Sequence, residues 1–132
     1  MASNYYNGIT TGIDFTARDI QNELMKKGLP WEKSKAFDNS AAVGKFIDIG
    51  PDFNKKNINF SLFKNKEQVQ KGFSGDMIFS FDAIIAHVTN YFSLNIGDLI
   101  FTGTPAGVGE CVVGDELEGY IGDEMLLKLD IK

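Results

Sequence analysis

Gly12-Ile13-Asp14-Phe15-Thr16-Ala17-Arg18-Asp19-Ile20-Gln21 turns a strand into a helix and sets an acid, a base and an amide around the join. Ahead of the join, the β-branched and aromatic residues Ile9, Thr10, Thr11, Ile13 and Phe15 predict a strand over residues 5–15. Behind it, Thr16 followed three residues later by Asp19 has a capping pattern, and Ala17, Ile20 and Leu24 share one helical face. Lys26 and Lys27 complement the helix dipole, Gly28 supplies a stop and Pro30 prevents continuation, so the helix is predicted over residues 16–27. Asp14 thus stands at a strand-to-helix junction, facing away from Ile13 and Phe15. Its carboxylate could meet a divalent cation or cap the coming helix.

Beyond the Gly28-Leu29-Pro30-Trp31 turn, short strands are predicted over residues 33–37 and 43–49, the second ended by Gly50-Pro51-Asp52. Residues 58–62 alternate with period two, and Lys64-Asn65-Lys66 turns them into residues 67–73 as a hairpin with one wet face. Ser80 precedes Phe81, Ile84, Ile85, Val88 and Phe92, an apolar stripe at helical spacing that marks a second helix. The tail reads as strands over residues 99–102, 116–121 and 125–131, with Gly122-Asp123 a two-residue hairpin turn.

At 132 residues, with 43% hydrophobic content and dispersed charge, the chain fits one ordered domain, and 14 glycines suit many turns between short strands. A net charge of -5 without a basic run removes the usual electrostatic basis for binding nucleic acid or an anionic membrane, which points to a small partner. Cys111 is the single cysteine and cannot form an internal disulfide. No apolar run is long enough to span a bilayer, and the first residues lack a secretory pattern, so a reducing, cytoplasmic setting is expected.

Thr102-Gly103-Thr104-Pro105-Ala106-Gly107-Val108-Gly109 lacks the Lys-Ser/Thr of a phosphate loop and the helix of a dinucleotide fingerprint. It reads either as an irregular turn or as a loop where Thr104 and nearby amides meet a small anionic or carbonyl ligand. His87, the only histidine, lies beside the apolar stripe with no nucleophile elbow anywhere in the chain, and it reads as structural. Cys111 reads as a small buried filler. Lys35, between Trp31 and Phe37 in an apolar-flanked strand, either snorkels to water or stabilises an enolate or oxyanion near a site.

Four ordered stretches closely resemble the fumarylacetoacetate hydrolase family: residues 12–21, Gly28-Leu29-Pro30-Trp31 with Ser34-Lys35-Ala36-Phe37, Met77-Ile78-Phe79-Ser80, and residues 97–109. The resemblance runs from about Tyr5 to the C-terminus and is closest to the acylpyruvate hydrolase and oxaloacetate decarboxylase branch, whose relatives include isomerases. It implies a β-rich α+β fold, a mixed β roll with two main peripheral helices, assembled as a homodimer and binding Mg²⁺ or Mn²⁺. By match of motif, Asp14 would be a metal ligand, Arg18 and Gln21 would line the substrate pocket, Lys35 would be the catalytic-site lysine, and Thr104 would bind the substrate carboxylate. The implied reaction is C–C cleavage of a 2-oxo acid, acylpyruvate or oxaloacetate-like, through a metal-stabilised enolate.

The family's pattern also places metal carboxylates in a Glu-x-Glu motif, and a His-Glu pair on a lid, upstream of the strand that holds Asp14. Only a few residues precede that strand here, so the expectation is a fold incomplete at its N-terminus. One Asp cannot by itself hold Mg²⁺ strongly, and turnover by the chain alone is expected to be weak or absent. The alternative from a different class is a non-catalytic oligomerising or ligand-binding remnant of the same fold.

Overall fold

The structure is a computed structural model that describes residues 2–50 and 52–132. In chain order it contains β1 (Gly8–Ile9), β2 (Gly12–Asp14), α1 (Arg18–Lys26), α2 (Glu32–Lys35), β3 (Ala41–Val43), β4 (Ile47–Asp48), β5 (Asn59–Lys64), β6 (Glu67–Phe73), α3 (Phe81–Val88), β7 (Glu116–Ile121) and β8 (Glu124–Asp130). The architecture is therefore sheet-rich α+β with few helices. Its residues gather into two compact units, the larger comprising Met1–Thr11 and Gly44–Lys132 and the smaller Gly12–Val43. No helix among the described residues is long and apolar enough to cross a membrane.

The larger unit is organised on a four-stranded antiparallel sheet of order β6-β5-β7-β8. Both predicted hairpins are present. Ile58 and Ser74 exchange hydrogen bonds at the open end of β5–β6, through the Ser74 backbone N–H at 2.8 Å and its hydroxyl oxygen at 2.9 Å. Asn65 and Lys66 form the turn with φ of 52° and 71°, the paired left-handed conformation whose twist matches that of the flanking strands. Lysine carries a Cβ penalty there, so Lys66→Gly is expected to stabilise the chain by about 1 kcal/mol. A higher urea midpoint at unchanged slope would show it, and a lower midpoint would refute it.

A buried acid locks this turn to the loop that enters β7. Asp115, 5% exposed, accepts from Asn65 Nδ2 at 2.7 Å and from the Val112 backbone N–H at 2.9 Å. Those bonds, with Lys64 Nζ at 3.6 Å, hold its carboxyl below the usual carboxylate range, the backbone N–H contributing most. Leu117, Leu126, Leu127, Ile58 and Ile85 form the buried apolar core of the described residues. Gly119 lets Thr11 approach the sheet, since a Cβ there would lie 2.7 Å from Thr11 Oγ1 and 3.2 Å from Leu127 Cβ.

Helix α3 begins as predicted, with Ser80 Oγ accepting from the Ala83 N–H at 3.2 Å. It ends at Val88, so Phe92 falls outside the stripe and is exposed. Several predicted strands are revised. The strand over 5–15 is two short pieces, β1 paired with β4 and β2 with β3, and between them the Thr10 hydroxyl donates to the Lys45 and Thr11 carbonyls. The run over 43–49 is likewise broken, with Gly44 N–H on the Thr11 carbonyl and Lys45 N–H on the Leu126 carbonyl, 3.0 and 2.7 Å. Residues 99–102 join no ladder among the described residues and leave Leu99 and Phe101 exposed; a β-prone run without a partner strand satisfies no hydrogen bonds. Pro51, in the predicted terminator, lies outside the described residues.

Candidate functional site

The smaller unit builds its site at the end of a strand. β2 and β3 pair antiparallel with Asp14 opposite Ala41, and Phe15 N–H donates to the Ser40 carbonyl at 2.8 Å, so the ladder hands over to the helical region at Asp14. Helix α1 starts at Arg18, two residues later than the capping pattern predicts, with Ala17 at its N-cap and no side-chain cap. Thr16 does not cap because its hydroxyl is engaged elsewhere: it donates to the Asp14 carbonyl at 3.3 Å and accepts from Lys35 Nζ at 2.8 Å. Lys35 Nζ also lies 2.8 Å from Asp14 Oδ2.

Lys35 reaches this place from a helix, not from the predicted strand over 33–37. That run has two lysines and no partner strand, and its backbone instead closes locally, Ser34 N–H on the Trp31 carbonyl and Ala36 N–H on that of Glu32, 2.9 and 2.6 Å. Ser34 is 0% exposed and its hydroxyl donates to the Trp31 carbonyl at 2.7 Å. Its own carbonyl accepts from the Ala17 N–H at 3.0 Å, which ties α2 to the segment carrying Asp14 and Thr16. With side chains 35% and 49% exposed, the Lys35–Asp14 pair is worth about 0–1 kcal/mol to stability; its interest is positional.

On α1, Gln21 is 6% exposed and its Oε1 accepts from Arg18 Nη1 at 2.6 Å. That bond uses one donor of the guanidinium fork and orients the rest. Asp14, Thr16, Arg18, Gln21 and Lys35 therefore all belong to the smaller unit. Thr104 belongs to the larger one, where Gln70 Nε2 on β6 donates to Thr104 Oγ1 at 2.9 Å and to the Pro105 carbonyl at 3.0 Å. Gly107, at φ 99°, lets the same loop lie on β6, since a Cβ there would collide with the Val69 carbonyl oxygen. No helix follows Gly109, in keeping with the rejection of a phosphate loop. Two shallow hollows, one by Leu24 and Pro30 and one by Lys71 and Phe73, are lined by none of the predicted site residues.

The other sequence candidates stand apart. His87 is exposed on α3 with its ring 5.3 Å from that of Tyr91. Cys111 is partly buried, and burial pushes its thiol pKa up, the opposite of what a nucleophile needs. Among the described residues no three His, Cys, Asp or Glu side chains gather as a metal site. Asp14 stands as a lone carboxylate already paired with an ammonium, and a hard divalent cation requires several oxygen ligands, so these residues by themselves do not fit one. Sequence reasoning missed Thr16 and Gln70 as partners of site residues; both contacts span distant positions and carry no local signal.

The profile of the fumarylacetoacetate (FAA) hydrolase C-terminal family matches residues 1–130. Oxaloacetate tautomerase YcgM of Escherichia coli is 44% identical over 112 residues, covering 83% of this chain and 51% of that protein. The mitochondrial oxaloacetate tautomerase of Homo sapiens is 42% identical over 122 residues, covering 91% of this chain and 54% of its own length. The crystal structure of fumarylpyruvate hydrolase from Pseudomonas aeruginosa in complex with Mn²⁺ and pyruvate superposes with a TM-score of 0.89 at 33% identity, over 98% of this chain and 56% of that one. The chain thus spans about half the length of these relatives. From the profile match over nearly its whole length, the identities and the shared fold, this chain belongs to the fumarylacetoacetate hydrolase family.

Proposed function

We propose that the chain carries the 2-oxo-acid-binding and charge-stabilising part of a metal-dependent hydrolase or lyase acting through an enolate. The observation that carries this reading is the Lys35 ammonium held at 2.8 Å from Asp14 on the unit that also holds the Arg18–Gln21 pair. The relatives' names support it: oxaloacetate and fumarylpyruvate are both 2-oxo acids whose tautomerisation or cleavage develops negative charge on the ketone oxygen. Arg18 would take the substrate carboxylate as a fork and Gln21 would fix the fork's orientation; for Thr104, on the larger unit, a carboxylate-binding role is proposed by itself. Lys35 would set its positive charge against the forming enolate oxygen. Mg²⁺ or Mn²⁺ is proposed as the cofactor, with Asp14 as one ligand among several that the described residues do not gather, and when bound it would supply Lewis-acid chemistry. A homodimer in a reducing, cytoplasmic setting is the proposed form.

The absence of a carboxylate cluster among the described residues favours, as a second reading, a ligand-binding module without turnover. Titration of the ¹⁵N-labelled chain with oxalate in the presence of Mg²⁺ tests the shared premise. The expected result is saturable shifts at Asp14, Arg18, Gln21 and Lys35, with Lys35→Met weakening affinity by about tenfold. Shifts elsewhere only would overturn the site. Oxaloacetate tautomerisation or acylpyruvate cleavage by the same sample decides between the two readings.

A further inference from the structure

We infer that Thr16 is a positioning residue for Lys35: its hydroxyl is the second anchor that holds the ammonium in one place and leaves its third N–H for a ligand. The inference rests on the reading of Lys35 as the charge-stabilising group. Asp14 ends β2 and Thr16 stands two residues on, in the link to α1. Lys35 Nζ lies 2.8 Å from an oxygen of each.

The hydroxyl's own geometry makes it an acceptor. Its single proton is committed to the Asp14 carbonyl at 3.3 Å, so what it offers Lys35 is lone-pair density, which suits an ammonium and nothing that needs a donor. A lysine on one anchor sweeps an arc on its flexible four-carbon stem, whereas two anchors leave it one position. The backbone is registered as well, by the Ala17 N–H to Ser34 carbonyl bond at 3.0 Å and by the complete burial of Ser34 next to Lys35. An ammonium has three N–H groups, of which Asp14 and Thr16 take two. The remaining one is directed rather than averaged, and preorganised donors of this kind are what stabilise developing charge.

The test is the lysine-ammonium ¹H–¹⁵N spectrum of the 132-residue chain, with the Lys35 signal assigned by its loss in Lys35→Arg. Thr16→Val is expected to speed exchange of the Lys35 ammonium protons with water by about fivefold, with Thr16→Ser restoring the slow rate. The backbone amide spectrum should be otherwise preserved; if valine disturbs it, Thr16→Ala serves as the second deletion. An unchanged exchange rate in a folded deletion variant overturns the inference, as does failure of serine, which keeps the hydroxyl, to restore the slow rate. The measurement uses no substrate. Absence of oxalate binding with this signature intact would sink the proposed function and leave the positioning of Lys35 standing.

Discussion

Leu117→Ala is expected to lower the stability of the chain by about 3 kcal/mol, the largest effect of any single truncation considered. Leu117 is 1% exposed and lies on β7, an inner strand, where it stands between Lys64 of β5 and Leu129 of β8 in the register. Alanine at that position loses the transfer energy of the removed carbons and leaves a cavity, because strands paired on both sides cannot close over it. The buried apolar set of the described residues is small, with Ile58, Ile85, Leu126 and Leu127 as its other members. A domain whose total stability is about 5–15 kcal/mol would therefore lose a substantial share, and Tm would fall by about 10 °C. Urea unfolding checks it, with Leu99→Ala as a half-exposed control. A loss below about 1 kcal/mol at Leu117 would show that the sheet repacks and that the core lies elsewhere.

Titration of the chain with Mn²⁺ is expected to find no site tighter than about 1 mM, some hundredfold or more weaker than a cluster of carboxylates provides. Asp14 offers one carboxylate, and the Lys35 ammonium at 2.8 Å already occupies the position from which a cation would approach it. Removing that competitor in Lys35→Met should tighten Mn²⁺ binding near Asp14 by about tenfold, since the ammonium repels a divalent cation about twice as strongly as a unit charge in high dielectric, reduced by salt screening. Asp14→Asn should erase the difference. Paramagnetic broadening of amide signals around residues 12–18 reads both directly. A micromolar site in the unaltered chain would overturn the account and require acids that the described residues keep apart to come together.

Features that the sequence reveals correctly share a physical character: their causes lie within a few residues. The β5–β6 and β7–β8 hairpins follow from period-two alternation around short turns, and the α3 start follows from Ser80 and the N–H three residues on. The revised elements depend on partners far along the chain. Within the run expected as a strand, residues 32–35 form a helical turn, where Ser34 is buried and its carbonyl meets the Ala17 N–H. Residues 99–102 have strand composition, yet a strand exists only where a ladder exists.

The same division runs through the site. Residue types and order alone identify the family, because Asp14, Arg18, Gln21, Lys35 and Thr104 sit in ordered motifs that need no coordinates to be compared. The work Thr16 does is invisible at that level: a threonine ahead of a helix looks like a cap in any local reading. Only the folded chain brings Lys35 across 19 residues to claim its hydroxyl, because the Ala17–Ser34 hydrogen bond and the burial of Ser34 decide where the lysine's backbone stands.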